Sequence, residues 1–208
     1  MNCVSCLRFL VACLANVGVG CTSAAVHYYT LTPPPGKDPP ASETAVPIDV
    51  RIVHLPPQLN RSELMVRSGA TEVTLLENER WASPVNDEIK DAVRLELQRR
   101  LRGTTGLRPD LAKLTVDIDV RHLEAEFGRY AVFEASWTAT SSGLPSNGAR
   151  MMACTFRADE EIHSSYAGMV AGYQREIAAL AEAIVDVLTT AATGVDAPCQ
   201  KFVGHAQR

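Results

Sequence analysis

Leu114-Thr115-Val116-Asp117-Ile118-Asp119-Val120 alternates apolar and polar residues without a break. A strand sends successive side chains to opposite faces, so this run predicts a sheet with one dry face and one wet face. A dry face needs a cover, and two later stripes offer one. Val85, Ile89, Ala92, Val93, Leu97 and Leu101 recur at helical spacing, as do Met169, Tyr173, Ile177, Leu180, Ile184 and Leu188. Each stripe has a single apolar face. The sequence therefore predicts an α/β sandwich, a mixed and largely antiparallel sheet covered by two amphipathic helices.

The remaining elements follow from local signals. Ile48–Val53 alternates apolar and charged residues and stops at Leu55-Pro56-Pro57, while Tyr28-Tyr29-Thr30-Leu31 is β-prone. Short strands are expected around Glu63–Arg67 and Thr71–Glu77, turning at Ser68-Gly69. Ser83-Pro84, followed by Asp87 and Glu88, reads as a helix start with Ser at the N-cap and Pro at the first helical position; Arg102-Gly103 reads as its end. Strands near Tyr130–Thr140 and Arg150–Ile162 continue from Leu114–Val120 as an antiparallel meander. The last helix runs from after Ser164-Ser165 to Gly194.

The amino end has a different character. Arg8 precedes an apolar run, Phe9 to Val19, and then Gly20-Cys21-Thr22-Ser23, which together read as a secretory signal peptide. That run is too short and too Gly-rich to span a hydrocarbon core about 30 Å thick. Cys21 sits where a lipoprotein signal places its acylated cysteine, although Gly18 stands where the lipobox usually has Leu. The expected organisation is a signal peptide at 1–20, then lipidated Cys21, the first strand and a Pro-rich linker over 21–46. A single domain follows over 47–195, joined by strand 28–31, and 196–208 form a loose tail.

Cys3, Cys6 and Cys13 would leave with the signal peptide, so Cys154 and Cys199 remain in a compartment that permits disulfides. Sequence alone leaves their pairing open, because a bridge needs Cα atoms within about 4.4–6.8 Å. A net charge of -4 and a pI near 5.7 argue against a nucleic-acid partner. Asp117 and Asp119 share a strand face, where a solvated pair is the plainer reading than a cation site. Asp159-Glu160-Glu161 is expected to be a solvated charge run. The five His residues are scattered, and the sequence holds no nucleophile elbow or phosphate loop. No metal, cofactor or catalytic residue is expected.

Tyr28-Tyr29-Thr30-Leu31, Val53-His54-Leu55-Pro56-Pro57-Gln58-Leu59-Asn60-Arg61, Leu64-Met65-Val66-Arg67 and Glu79-Arg80-Trp81-Ala82-Ser83-Pro84 occur in that order. This succession resembles the ABC-type transport auxiliary lipoprotein family, which includes the PqiC-like (YmbA-like) proteins. The match is most specific over 28–101 and is one of pattern only from 114 to 190. The resemblance implies a non-catalytic periplasmic lipoprotein tethered to the outer membrane through Cys21. It also implies an MCE-domain transporter subunit as partner, lipid transport between inner and outer membranes, and a role in envelope integrity. Some members assemble into rings, so a homo-oligomer is among the implied assemblies. Tyr28, Tyr29, Leu55, Pro56, Arg61, Arg67 and Trp81 are its motif residues. Trp81 is expected to pack in the core, and Arg61 and Arg67 either bridge loops or meet carboxylates on a partner. The alternative reading is a soluble periplasmic ligand-binding protein or a small envelope hydrolase.

Overall fold

The computed structural model describes residues 24–34, 47–103, 113–142, 150–192 and 199–204. The signal-peptide segment, Cys21, most of the Pro-rich linker and Gly194 lie outside these residues. The described strands are β1 (His27–Tyr29), β2 (Ile48–His54), β3 (Glu63–Arg67), β4 (Val73–Trp81), β5 (Lys113–Glu126), β6 (Tyr130–Ser142), β7 (Arg150–Glu161) and β8 (Gln200–Gly204). The helices are α1 (Val85–Gly103) and α2 (Tyr166–Ala192).

All eight strands form one mixed sheet in the order β1-β4-β3-β5-β6-β7-β8, with β2 also on β5. Its centre is the antiparallel meander β5–β6–β7, whose long ladders make the sheet mostly antiparallel. Parallel pairs join β1 to β4, β2 to β5 and β7 to β8. The long strand β5 carries β2 along its first half, while β3 meets the same edge at the far end, pairing Arg67 with Glu126. The turn at Pro57–Leu59 separates these two short strands, because Pro56 and Pro57 supply no backbone donor to prolong β2.

The wet and dry faces of the sheet follow the expected alternation. Leu114, Val116, Ile118 and Val120 are buried, as are Ala131, Phe133, Ala135, Trp137 and Ala139 on β6. A register shift between Val120 and His122 carries the alternation over to Leu123 and Ala125, which are buried in turn. All six residues of each helix stripe are buried, and the two helices pack on each other as well as on the sheet. Gly172 lets α2 approach the sheet, because a Cβ there would lie 2.6 Å from Ile162 Cγ2.

Three details depart from the sequence reading. Residues 200–204 form β8 along β7, where a loose tail was expected. The β3–β4 hairpin is longer than anticipated, since β4 continues to Trp81. The start of α1 is set one residue later: Pro84 supplies the carbonyl that accepts from Glu88 N–H at 3.1 Å, so Pro84 and not Ser83 holds the N-cap position. Ser83 instead donates its hydroxyl to the Glu88 carboxylate at 2.7 Å.

Burial also encloses two features with chemical consequences. The structure joins Cys154 of β7 to Cys199 beside β8, with Cα atoms 4.7 Å apart. Glu176 of α2 is fully buried and neither carboxyl oxygen has a hydrogen-bond partner of good geometry. Burial pushes its pKa up to about 9, reinforced by Glu160 and Asp159, while Arg175 and the Phe133 backbone oppose this only in part. The carboxyl is therefore neutral at pH 7.

Two outcomes are expected. A raised folded pKa means that the native state holds its proton while the unfolded chain loses it, so stability falls as pH rises from about 4.5 to about 9. Glu176→Gln should flatten that decline and raise stability at pH 7–8 by about 2–3 kcal/mol, read from urea melts at several pH values. An unchanged pH profile would refute the assignment. Reducing the bridge over its separation of 45 residues should lower stability by up to about 4 kcal/mol, and alkylation with mass analysis should find no free thiol at Cys154 or Cys199 before reduction.

Candidate functional site

Two of the motif residues, Tyr29 and Trp81, meet at the junction of β1, β4 and the start of α1. Tyr29 is half-buried and donates its hydroxyl to Glu79 Oε2 at 2.6 Å, while His27 Nδ1 lies 3.0 Å from Glu79 Oε1. Burial first, and then the hydrogen bond to Glu79, push the Tyr29 phenol up to about 12. Tyr28 points the other way and is exposed. Trp81 is buried at the end of β4, with its ring centroid 6.4 Å from that of Tyr173 on α2. It joins sheet to helix as expected of an aromatic in this position.

A residue that the motif did not include holds this junction together. Glu88 is buried in the first turn of α1, and its two oxygens accept four hydrogen bonds. Oε2 receives the Thr30 hydroxyl at 2.7 Å and the Leu31 N–H at 2.8 Å; Oε1 receives the Ser83 N–H at 3.0 Å and the Ser83 hydroxyl at 2.7 Å. Leu31 beside it is fully buried, and Gln174 of α2 donates to the Thr30 carbonyl at 3.1 Å. The segment leaving β1 is thus fastened to both helices. From sequence, Glu88 reads only as an acid favoured near a helix N-terminus. Its long-range donors leave no local signal.

The second group lies where β3 meets β5. Arg67 donates to the Glu124 carboxylate through Nη2 and to the Gly69 and Ala70 carbonyls through Nη1 at 3.2 and 3.3 Å. Tyr130 donates to the other Glu124 oxygen at 3.0 Å. The Arg67 hydrogen bond is the main cause holding the Glu124 carboxyl below its usual range, against an opposing effect of burial. Arg67 therefore bridges strands within the chain. Arg61 is exposed in the loop before β3, Leu55 is half-buried and Pro56 is buried. The structure brings Tyr29 and Trp81 to one junction, and it places Arg67 and Arg61 elsewhere on the sheet.

The wet face of the sheet holds an open trough of about 560 Å³, lined by Val53, Asp117, Asp119, Ser136, Thr138 and the Cys154–Cys199 pair among others. Asp117 is engaged by Arg51 in a two-pronged pair at 2.6 and 2.8 Å, and Asp119 accepts from Ser136 at 3.4 Å. Among the described residues no three His, Cys, Asp or Glu side chains converge as metal ligands. A smaller void of about 20 Å³ lies between Leu59, Trp81, Leu123 and Tyr173, room for about one water. On this face Arg51 pairs with Asp117, Arg157 with Glu134 and the Ser136 hydroxyl with Asp119.

The two clusters should differ in weight. Glu88→Ala strands four donors in a buried junction and should cost about 3–4 kcal/mol. Arg67→Ala breaks a partly solvated pair and should cost about 1–2 kcal/mol. Urea denaturation of the two variants checks the order, and a larger loss for Arg67→Ala would contradict it. The Glu124 contribution is present above the ordinary carboxylate range and is lost as pH falls through its depressed folded value.

Comparison with known proteins extends this picture. Residues 29–185 match the model of the family described as ABC-type transport auxiliary lipoprotein component. Among curated proteins, none matches. A solved structure described only as an uncharacterized protein is similar in fold, at TM-score 0.60 and 15% identity, covering 79% of this chain and 99% of that one. Protein XCC0632 from Xanthomonas campestris aligns at 17% identity and TM-score 0.49, covering 82% of this chain and 97% of that one. The family match spans β1 through most of α2, both residue clusters included. The chain belongs to the ABC-type transport auxiliary lipoprotein family and is a non-catalytic auxiliary component of an ABC-type transport system.

Proposed function

We propose that this chain is an outer-membrane-anchored periplasmic lipoprotein that docks an MCE-domain transporter subunit and supports lipid movement between the inner and outer membranes, and with it the integrity of the envelope. The observation that carries the reading is the family match over 29–185, preceded by a segment with the character of a lipoprotein signal ending at Cys21. Residues 1–20 are the signal peptide in this reading, and 21–46 hold the acylated Cys, β1 and a spacer. The folded domain starts at 47, takes in β1 and extends through β8 to residue 204. Acyl chains on the new amino terminus supply the stable anchor that a single chain does not. Among the described residues no helix is long and apolar enough to cross a membrane, which agrees with attachment by lipid.

The architecture supports a scaffolding role. The segment that leaves β1 is held by Glu88 and Gln174, so β1 is fastened to β4 along its length and to both helices just beyond its end. The wet face of the sheet leaves β-strand hydroxyls and charged pairs available to a partner. Assembly of several copies into a ring belongs to the same proposal, as a way for subunits to surround a conduit.

Two measurements test it. The full-length chain solubilised from its native envelope should recover an MCE-domain protein, and Cys21→Ala should release the chain from the membrane fraction. Recovery of no transporter component would remove the partner, and a variant that still sediments with membranes would remove the anchor.

A further inference from the structure

Of the seven large apolar side chains exposed among the described residues, four, Val26, Val73, Leu75 and Phe127, lie toward one end of the sheet, while Val53 and Met151 lie elsewhere. β1 runs parallel to β4 with His27 opposite Glu79. The direction of β1 at His27 therefore points the preceding chain toward the Val73 end of β4 and the β3–β4 turn. Six residue steps separate Cys21 from His27, a reach of at most about 20 Å. Six steps also separate Glu79 from Val73, a rise of about 20 Å along the strand. Cys21 can therefore lie no farther beyond β1 than the end of the hairpin itself.

That end of the sheet collects apolar groups. Because β3 is parallel to β5 where Arg67 meets Glu126, the β3–β4 turn and the β5–β6 turn emerge together. Val73 is 49% exposed and Leu75 is 41% exposed on the hairpin, Phe127 is 41% exposed in the β5–β6 turn, and Val26 is 42% exposed on the tether. Gly128, at φ 72, turns the chain sharply after Phe127, and a Cβ there would collide with Ser164. Phe127 leans on Tyr166 at the start of α2, with ring centroids 5.1 Å apart.

We propose that this end of the sheet, through Val73, Leu75 and Phe127, rests on the lipid surface that holds Cys21. The inference rests on the Cys21 anchor of the proposed function and adds an orientation to it: the domain does not swing free on its tether but stands on the bilayer with β5 and β7 ending at the membrane. A lipid surface is favoured over a protein occupant because the patch lies at the end of the sheet toward which the short tether runs. A few apolar side chains bind a bilayer weakly by themselves, but the tether keeps them at high local concentration beside it. An aromatic side chain at the headgroup level is a common interfacial anchor.

The test uses the full acylated chain in vesicles of phosphatidylethanolamine and phosphatidylglycerol whose acyl chains are brominated. Three variants are compared, Phe127→Trp, Val73→Trp and Met151→Trp; Met151 is 73% exposed and starts β7 at the opposite end of the sheet. All three sites are exposed and the native Trp81 and Trp137 are buried, so their unchanged emission reports an intact fold. The expected result is loss of most of the added emission at positions 127 and 73 and none at 151. Attached chain with no quenching at 127 and 73, or equal quenching at all three, overturns the orientation and leaves the anchor standing. Quenching that appears only on adding a partner protein overturns it as well, and marks the face as a protein interface. If intact mass shows Cys21 unmodified and the chain does not join the vesicles, the anchor and the orientation fall together.

Discussion

Both helices pack on the same face of the sheet, and the rest of this structure is arranged around that fact. On β5, β6 and β7 every second side chain must be apolar and every other one must tolerate water. The buried set runs from Leu114 through Phe133 to Phe156, with α1 and α2 above it. The register shift after Val120 keeps the alternation in phase with the core along a fourteen-residue strand. Without it, Leu123 and Ala125 would face water and His122 and Glu124 would face the helices. On the wet side, the same alternation aligns Arg51 with Asp117 and Arg67 with Glu124, so charge pairing there comes with the fold.

Covering one face also makes the joints between layers critical, and these are built from buried polar groups with full partners. Glu88 accepts four donors, two from the segment leaving β1 and two from Ser83, and so fixes the start of α1 against both. A buried carboxylate is tolerable when it is met in this way. Glu176 shows the opposite solution in the same core: with no good partner, it is held neutral. The two carboxyls lie on helices of similar amphipathic design, and the difference between them is the presence or absence of donors from another element.

A non-catalytic role within an ABC-type transport system is consistent with this construction. The polar residues that the structure brings together are used to hold strands and helices in place. Arg67, open to partner recognition on sequence alone, spends its donors on Glu124 and on the carbonyls of its own turn. The junction at Glu88 joins the segment after β1 to the helical layer.

Periodicity determined much of this by itself. The strict alternation at Leu114–Val120 established a one-faced sheet, the two stripes established its cover, and Ser83-Pro84 and Gly103 bracketed α1 closely. The succession from Tyr28-Tyr29 to Arg80-Trp81 was enough to recognise the family. These signals are local, because side-chain direction repeats every two residues in a strand and about every 3.6 in a helix. Only the tertiary structure decided which strands became neighbours: that β2 and β3 share one edge of β5, that β1 lies parallel on β4, and that 200–204 adds β8 to β7. Edge pairing depends on backbone groups that every residue carries, so composition gives it little signature. The same holds for Glu88, whose donors come from Thr30, Leu31 and Ser83, and for the apolar side chains gathered at one end of the sheet: each is ordinary in sequence, and only chain direction brings them together.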